Sequence, residues 1–198
     1  MTSDRNPKHT ARTAGLPPCF ELVRSWLSPS RADLLLGQLR KQVDWEQPPS
    51  FRGHPVPRLT AWYGGSAYSY SATTHQPKAW VPELDELRGE LEDATGARFN
   101  SCLANLYRNG LDSVAWHADD ETPLGERPTI ASVSLGATRD FNIKRRDSSS
   151  GLATVPLGHG DLVVMRDESQ LDWLHCVPKR PKVTDLRVNL TFRWFGPA

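Results

Sequence analysis

The chain has little cysteine, little methionine and no long apolar run. Its three cysteines, Cys19, Cys102 and Cys176, are widely spaced and form no C-x-x-C pair. An odd, sparse set of this kind argues against a disulfide framework and reads as reduced thiols in a cytoplasmic protein. The longest apolar stretches are four or five residues, as in Leu162-Val163-Val164-Met165. A spanning helix needs about 20, so a soluble protein with no membrane segment is expected. The start of the chain, MTSDRNPKHTARTAG, holds no apolar h-region, which speaks against secretion. A strong excess of one charge is also missing: the net charge is +1. No internal repeat is visible.

What is present suits a packed domain. Hydrophobic residues make up 38% of the 198 positions, with seven Trp, six Phe and four Tyr. That content rules out wholesale disorder, and the length suits one domain. Residues 1–18 are polar, with Pro17-Pro18 as a break, and are expected to be a disordered tail. Residues 19–198 are expected to form a single domain. The charges are unevenly spread. Residues 82–96 hold six acids and one Arg, leaving 23 basic against 17 acidic residues elsewhere, a net +6. Basic groups gather at Lys144-Arg145-Arg146 and at Lys179-Arg180-Pro181-Lys182.

Ser28-Pro29 reads as an N-cap followed by proline at the first helical position. Leu35, Leu36, Leu39 and Val43 then recur at helical spacing, which predicts a helix over 29–43. A second helix starts near Pro82, with Leu84, Leu87, Leu91 and Ala94 as its apolar stripe and Gly96 as a left-handed cap. The segment between, 47–75, is rich in proline, glycine and aromatics. It is too aromatic for a linker and too interrupted for a core strand, so short strands that cover something fit best. From Phe99 onward short strand-like segments follow one another: 99–107, 113–119, 129–135, 139–145, 153–157, 161–166 and 187–195. Seven or eight short strands after two helices predict a mostly β sandwich or jelly roll with flanking helices.

Four segments carry chemistry. In Trp116-His117-Ala118-Asp119, alternation along a strand aims His117 and Asp119 at one point. His175 follows 56 residues after Asp119. Two imidazoles and one carboxylate form a facial triad that suits non-haem Fe(II), although the ligand set alone leaves zinc open. In the last strand Arg187, Asn189, Thr191 and Arg193 alternate with Val188, Leu190, Phe192 and Trp194. One face is apolar; the other looks built for a small dicarboxylate, because guanidinium groups grip carboxylates bidentately. The two arginine Cα atoms are roughly 20 Å apart at about 3.3 Å per residue, so they should serve different ends of a ligand. Asn105 and Tyr107 put polar tips on an otherwise apolar face, as a pocket wall does.

Taken in order, Asn105-x-Tyr107, nine residues, His117-x-Asp119, then His175, then Arg187-x-Asn189-x-Thr191-x-Arg193 resemble the AlkB family of Fe(II)- and 2-oxoglutarate-dependent dioxygenases. The likeness covers about residues 47–195, including Pro57-Arg58, Tyr63-Gly64, the IASVSLG segment at 130–136 and Arg139-Asp140-Phe141. It implies a double-stranded β-helix (jelly-roll) core over 99–195 and a nucleotide-recognition lid over 47–75. It implies Fe(II) on His117, Asp119 and His175, with 2-oxoglutarate and O₂ as cosubstrates. The distal carboxylate would lie on Arg187, helped by Asn105 and Tyr107, with Asn189 and Thr191 on the same strand face. Arg193 would sit toward the metal. Oxidative decarboxylation would give succinate and CO₂, and a hydroxylated N-alkyl carbon would leave as formaldehyde.

The resemblance also points to alkylated bases such as 1-methyladenine and 3-methylcytosine, in DNA or in RNA. Such a base must be flipped out or single-stranded to be reached. Tyr68 and Tyr70 are the expected stacking residues, with Tyr70 opposite His117. Asp120 and Glu121 are the expected polar contacts to the base. Arg58, Lys144, Arg145, Arg146, Lys179, Arg180 and Lys182 are expected along phosphates, and Phe51 as a wedge. A monomer is expected. A dioxygenase acting on a protein side chain or a small metabolite would keep the same triad and arginine strand. A binding module that has lost catalysis fits poorly, since all three ligand positions are filled.

Overall fold

The computed structural model describes residues 15–50, 53–65, 68–70, 73–147 and 153–196; for 68–70 and 73–75 only the backbone is described. In chain order the elements are β1 (Phe20–Val23), α1 (Pro29–Gln42), β2 (Leu59–Gly64), β3 (Tyr68–Tyr70), β4 (Thr73–His75), α2 (Pro82–Thr95), β5 (Ser101–Tyr107) and β6 (Val114–His117). They continue with β7 (Ile130–Gly136), β8 (Arg139–Arg145), β9 (Ala153–Leu157), β10 (Leu162–Met165), β11 (Trp173–Val177) and β12 (Arg187–Arg193). No helix among the described residues is long and apolar enough to cross a membrane.

The helices form where their caps and stripes place them. Ser28 Oγ accepts from Arg31 N at 3.3 Å, Pro29 opens the first turn, and Arg40 and Lys41 sit in the last turn of α1. Gly96 ends α2 in the left-handed conformation, φ 69°, which L side chains avoid. Leu35 and Leu39 of α1 and Leu84, Leu87 and Leu91 of α2 are fully buried. Each is worth about 1.5–3 kcal/mol relative to exposure. Ala94, expected on that stripe, is exposed, and Leu36 is half-buried.

Antiparallel ladders build a jelly-roll core from two sheets. The major sheet runs β1-β10-β7-β12-β5-β2 and the minor one β6-β11-β8-β9; β3 and β4 pair as a separate hairpin. Strand parity then assigns every side chain of the major sheet to one of two layers. Val188, Leu190 and Phe192 of β12, Cys102, Ala104 and Leu106 of β5, and Ala131, Val133 and Leu135 of β7 pack in one cluster with both helices. The opposite parity faces the minor sheet. There Tyr107, Ile130, Val163 and Met165 pack against Phe141, Ile143 and Val155. Arg187, Asn189, Thr191 and Arg193 share that parity and are buried on the inner face.

Three expectations are corrected. The 47–75 segment does contain a core strand: β2 pairs with β5 and buries Ala61, Trp62 and Tyr63. β2 is the last strand of its sheet, with only isolated bridges to Glu46 and Lys78 on its other side, so the prolines and glycines flanking it remove no ladder bonds. His175 lies inside β11, directly opposite His117 of β6. The strand expected over 113–119 ends at His117, so Asp119 follows it. The expected disordered tail ended at 18, yet residues 15–18 are described: Leu16 packs against the inter-sheet cluster and Pro17 O accepts from Phe20 N. Residues 1–14 lie outside the described residues.

Gly110, in the turn after β5, approaches a neighbouring backbone. Its N–H donates to Val183 O and its carbonyl accepts from Arg180 N, both at 2.7 Å. A Cβ built there falls 1.7 Å from Arg180 O. Gly110→Ala is therefore expected to cost about 1–3 kcal/mol or more. Gly37 is an exposed helical glycine whose Cβ would meet nothing. Gly37→Ala is expected to gain about 0.5–1 kcal/mol. Urea unfolding checks both, and wild-type stability of Gly110→Ala contradicts the close approach.

Candidate functional site

The two sheets hold three ligand-type side chains together at one end of the gap between them. One ligand atom each from His117, Asp119 and His175 lies within 4.8 Å of the others. Their orientations are fixed from outside. His117 Nδ1 lies 2.9 Å from Ala115 O. With the proton on Nδ1, as that carbonyl requires, Nε2 turns its lone pair toward Asp119 Oδ1, 3.7 Å away. Asp119 Oδ2 takes two bonds from Arg193, from Nη2 at 2.8 Å and Nε at 3.1 Å. Its backbone N–H donates to Gln170 Oε1 at 2.8 Å. Asp119 thus keeps Oδ1 for the two imidazoles. The rings of His117 and His175 lie 4.3 Å apart, and Phe141 backs His175 at 5.2 Å.

Electrostatics keep His175 neutral and Asp119 ionised. Burial pushes the His175 imidazole down to about 3, with the neighbouring His117 ring adding to the effect. Burial pushes the Asp119 carboxyl up, but Arg193 and both imidazoles outweigh it and hold it down at about 2. His175 Nδ1 is buried without a hydrogen-bond partner. An orphaned imidazole nitrogen beside a second imidazole and a carboxylate fits a divalent first-row ion.

The cavity next to these ligands is walled by the inner faces of β5, β7 and β12. Asn105, Tyr107, Arg187, Asn189, Thr191 and Arg193 all line it. Asn189 Nδ2 donates to Ser132 Oγ at 2.8 Å, and Thr191 Oγ1 to Asn189 Oδ1 at 3.1 Å. At the far end Arg187 Nη2 donates to Ser134 Oγ at 2.8 Å. Among the described residues, Nε and Nη1 of Arg187 have no hydrogen-bond partner, and Arg187 is 1% exposed. A buried guanidinium with two open donors is a receptor for a carboxylate.

The remaining expected residues divide. Arg58 was expected along phosphates, but it is buried in the cavity wall, where its Nε donates to Asn105 Oδ1 at 2.7 Å. Burial removes it from any phosphate rim. Asp120 is exposed and pairs with Arg146 at 2.8 Å; Glu121 follows it and is half-buried. Three of the other six cations placed on phosphates by sequence already face acids: Arg145 on Asp147, Arg146 on Asp120, and Arg180 on Asp140 at 2.6 Å. Lys144 Nζ sits 4.6 Å from the Trp116 ring, and Lys179 and Lys182 are exposed. Tyr68 and Tyr70 stand on β3, where only the backbone is described, and Phe51 lies outside the described residues. Sequence reasoning missed Ser132, Ser134 and Gln170. The alternation of IASVSLG held a signal for the two serines; nothing local marks Gln170.

The comparisons agree with this geometry. Residues 20–193 match the family model of the 2OG-Fe(II) oxygenase superfamily. The chain therefore belongs to that superfamily. It is 44% identical over 188 residues to the alpha-ketoglutarate-dependent dioxygenase alkB homolog 3 of Homo sapiens, covering 89% of this chain and 66% of the relative. It is 38% identical to the DNA oxidative demethylase ALKBH2 of Homo sapiens, covering 83% of this chain and 69% of the relative. Within the superfamily these relatives place it in the AlkB family. The chain spans 60 to 66% of the length of the human and rat alkB homolog 3 proteins. The solved structure of OsALKBH1 superposes with a TM-score of 0.70, covering 90% of this chain and 97% of that one. At 19% identity that likeness speaks for the fold alone.

The depressed His175 has a consequence for the metal-free protein. The folded chain keeps this imidazole neutral, whereas an unfolded one takes up a proton below about 6.5. Unfolding then binds a proton between about 6.5 and about 3, so stability is full above that window and falls as the pH drops through it. Asp119 adds a loss below its ordinary 3.8, down toward about 2. Thermal melts of metal-free protein are expected to drop from pH 7 to pH 4.5, and less steeply for His175→Gln. Equal slopes for the two proteins would contradict the buried neutral imidazole.

Proposed function

We propose that this protein is an Fe(II)- and 2-oxoglutarate-dependent dioxygenase that removes alkyl groups from nucleic-acid bases, in DNA or RNA, as a repair activity. The observation that carries this reading is the pairing of the His117-Asp119-His175 cluster with the open guanidinium of Arg187 in one cavity. Iron, 2-oxoglutarate and O₂ together supply the oxidising chemistry, with succinate, CO₂ and formaldehyde as co-products. The protein's part is placement. Arg187 takes the distal carboxylate, and Tyr107 and Asn105 close the wall around it. Asn189 and Thr191 line the middle of the cavity. Arg193 holds Asp119 so that one carboxylate oxygen stays available for the ion.

Support for a base as substrate comes from the name of the human ALKBH2 relative, a DNA oxidative demethylase, and from the layout of the mouth. Strand β2 ends at Gly64, which pairs with Ser101, the neighbour of Arg193. The β3–β4 hairpin with Tyr68 and Tyr70 therefore starts from the metal end of the gap. We assign the parts of residues 47–75 outside β2 as the lid that receives the flipped base, with Asp120 and Glu121 at its polar edge. Lys144, Lys179 and Lys182 meet phosphate, and Arg145, Arg146 and Arg180 join them by exchanging their acid partners. Residues 19–198 act as one catalytic unit, working as a cytoplasmic monomer.

Formaldehyde release from oligonucleotides carrying 1-methyladenine or 3-methylcytosine tests the reading, with and without Fe(II) and 2-oxoglutarate. Release is expected only with both. Metal-loaded protein that releases none from any alkylated DNA or RNA would overturn it. Within the same assay, Arg187→Ala is expected to raise the apparent KM for 2-oxoglutarate about tenfold or more, leaving that for the oligonucleotide nearly unchanged. Equal effects on both would contradict the role of Arg187.

A further inference from the structure

Arg139, at the start of β8, is a buried cation that the proposed reaction does not use. It is 2% exposed, and among the described residues no carboxylate accepts a hydrogen bond from it. It is spent on backbone instead. Nη1 donates to Asn109 O at 3.0 Å, and Nη2 to Asp112 O at 2.8 Å and Pro178 O at 2.7 Å. These carbonyls belong to two separate segments, the turn after β5 and the exit of β11. The nearby acids are engaged elsewhere: Asp112 binds Arg108 through both oxygens at 2.8 Å, and Asp140 binds Arg180. The guanidinium lies against the ring of Tyr107, its Cζ 5.5 Å from the ring centre. Cζ of Arg187 lies 5.2 Å from the same ring. Tyr107 and Arg187 are also backbone partners across β5 and β12.

One phenol ring is thus shared by two guanidinium groups. Arg187 reaches the cavity; Arg139 does not line it. We propose that Arg139 is a positioning residue for the cosubstrate. It holds Tyr107 from outside the cavity lining, ties the turn after β5 to the exit of β11, and so keeps Arg187 ready for a dianionic 2-oxo acid. A second effect runs the same way. Two buried cations about one ring, with no carboxylate bonded to either, leave this end of the gap short of negative charge. A distal carboxylate supplies it; a 2-oxo acid without one does not. Arg139 therefore favours dicarboxylates over 2-oxo monocarboxylates without touching either.

The inference rests on the reading of the cavity as the 2-oxoglutarate site, and the experiment separates the two. Thermal melts are recorded for wild-type, Arg139→Gln and Arg139→Lys proteins loaded with redox-inert Mn(II), with and without 2-oxoglutarate. KM for 2-oxoglutarate, KM for the oligonucleotide and kcat are measured with Fe(II). Arg139→Gln is expected to lose most of the 2-oxoglutarate-induced rise in melting temperature. Its KM for 2-oxoglutarate should rise about tenfold, with kcat within about threefold and the oligonucleotide KM unchanged. Arg139→Lys keeps the charge but neither the fork nor the stacking, and is expected to fall between. Because Arg139 acts through the ring of Tyr107, Tyr107→Leu with Arg139→Gln should raise that KM by less than the product of the single effects. If Arg139→Gln does not fold, Arg139→Lys decides: a raised KM for 2-oxoglutarate alone supports the inference. An unchanged KM for 2-oxoglutarate in either folded variant, or equal losses in both KM values, overturns it. A wild-type protein that 2-oxoglutarate does not stabilise would instead overturn the cavity reading, and this inference with it.

Discussion

A strand that buries two arginines on its inner face forces the rest of the site into being. Arg187 and Arg193 are 1% and 3% exposed. An uncompensated buried charge costs several kcal/mol, so each needs an answer from its surroundings. Arg193 has one in Asp119, whose Oδ2 it grips twice. That pair draws the chain beyond β6 against β12 and turns the other carboxylate oxygen toward the imidazoles. Among the described residues Arg187 has Ser134 and Tyr107 and no carboxylate. The same strand thus carries one satisfied cation at the metal end and one cation at the far end still short of an anion. Metal ligand geometry and cosubstrate affinity are two consequences of a single inward-facing row.

That row was legible because its period is two and its chemistry is extreme. Charged residues alternating with Val, Leu and Phe cannot face water on both sides, and all seven positions of β12 are buried. The helices were legible for a similar reason: Ser28-Pro29 and Gly96 are local devices that act without tertiary help. His117 and Asp119 were found through an alternation that in fact ends at His117; both still reach the cluster because Arg193 and Gln170 hold Asp119 beyond the strand.

The parts that escaped are those decided by distant partners. Strand β2 lies among prolines and glycines that read locally as interruption, and β5 supplies the ladder that makes it a strand. Arg58 looks like a surface cation until Asn105 is placed beside it. Charge clusters show the same limit most plainly. Lys144-Arg145-Arg146 is a basic run in the sequence, yet Asp147 and Asp120 neutralise its two arginines in space. A count of charges sees no partners.

Preorganisation is what joins the two ends of the cavity. At the metal end, Ala115, Gln170 and Arg193 fix His117 and Asp119, and the burial of His175 keeps its imidazole neutral, with a lone pair on one nitrogen, at neutral pH. A metal ion arriving there has little reorganisation to impose. At the far end a guanidinium held against Tyr107 waits with open donors. The metal cluster is anionic through Asp119, but Arg193 offsets that charge, so the cavity is a low-dielectric slot whose main unmet demands are a divalent cation at one end and a carboxylate at the other. A ligand with a chelating oxo-acid group at one terminus and a carboxylate at the other meets both demands at once. A monocarboxylate meets only one, and the charge left over on Arg187 is the penalty that excludes it.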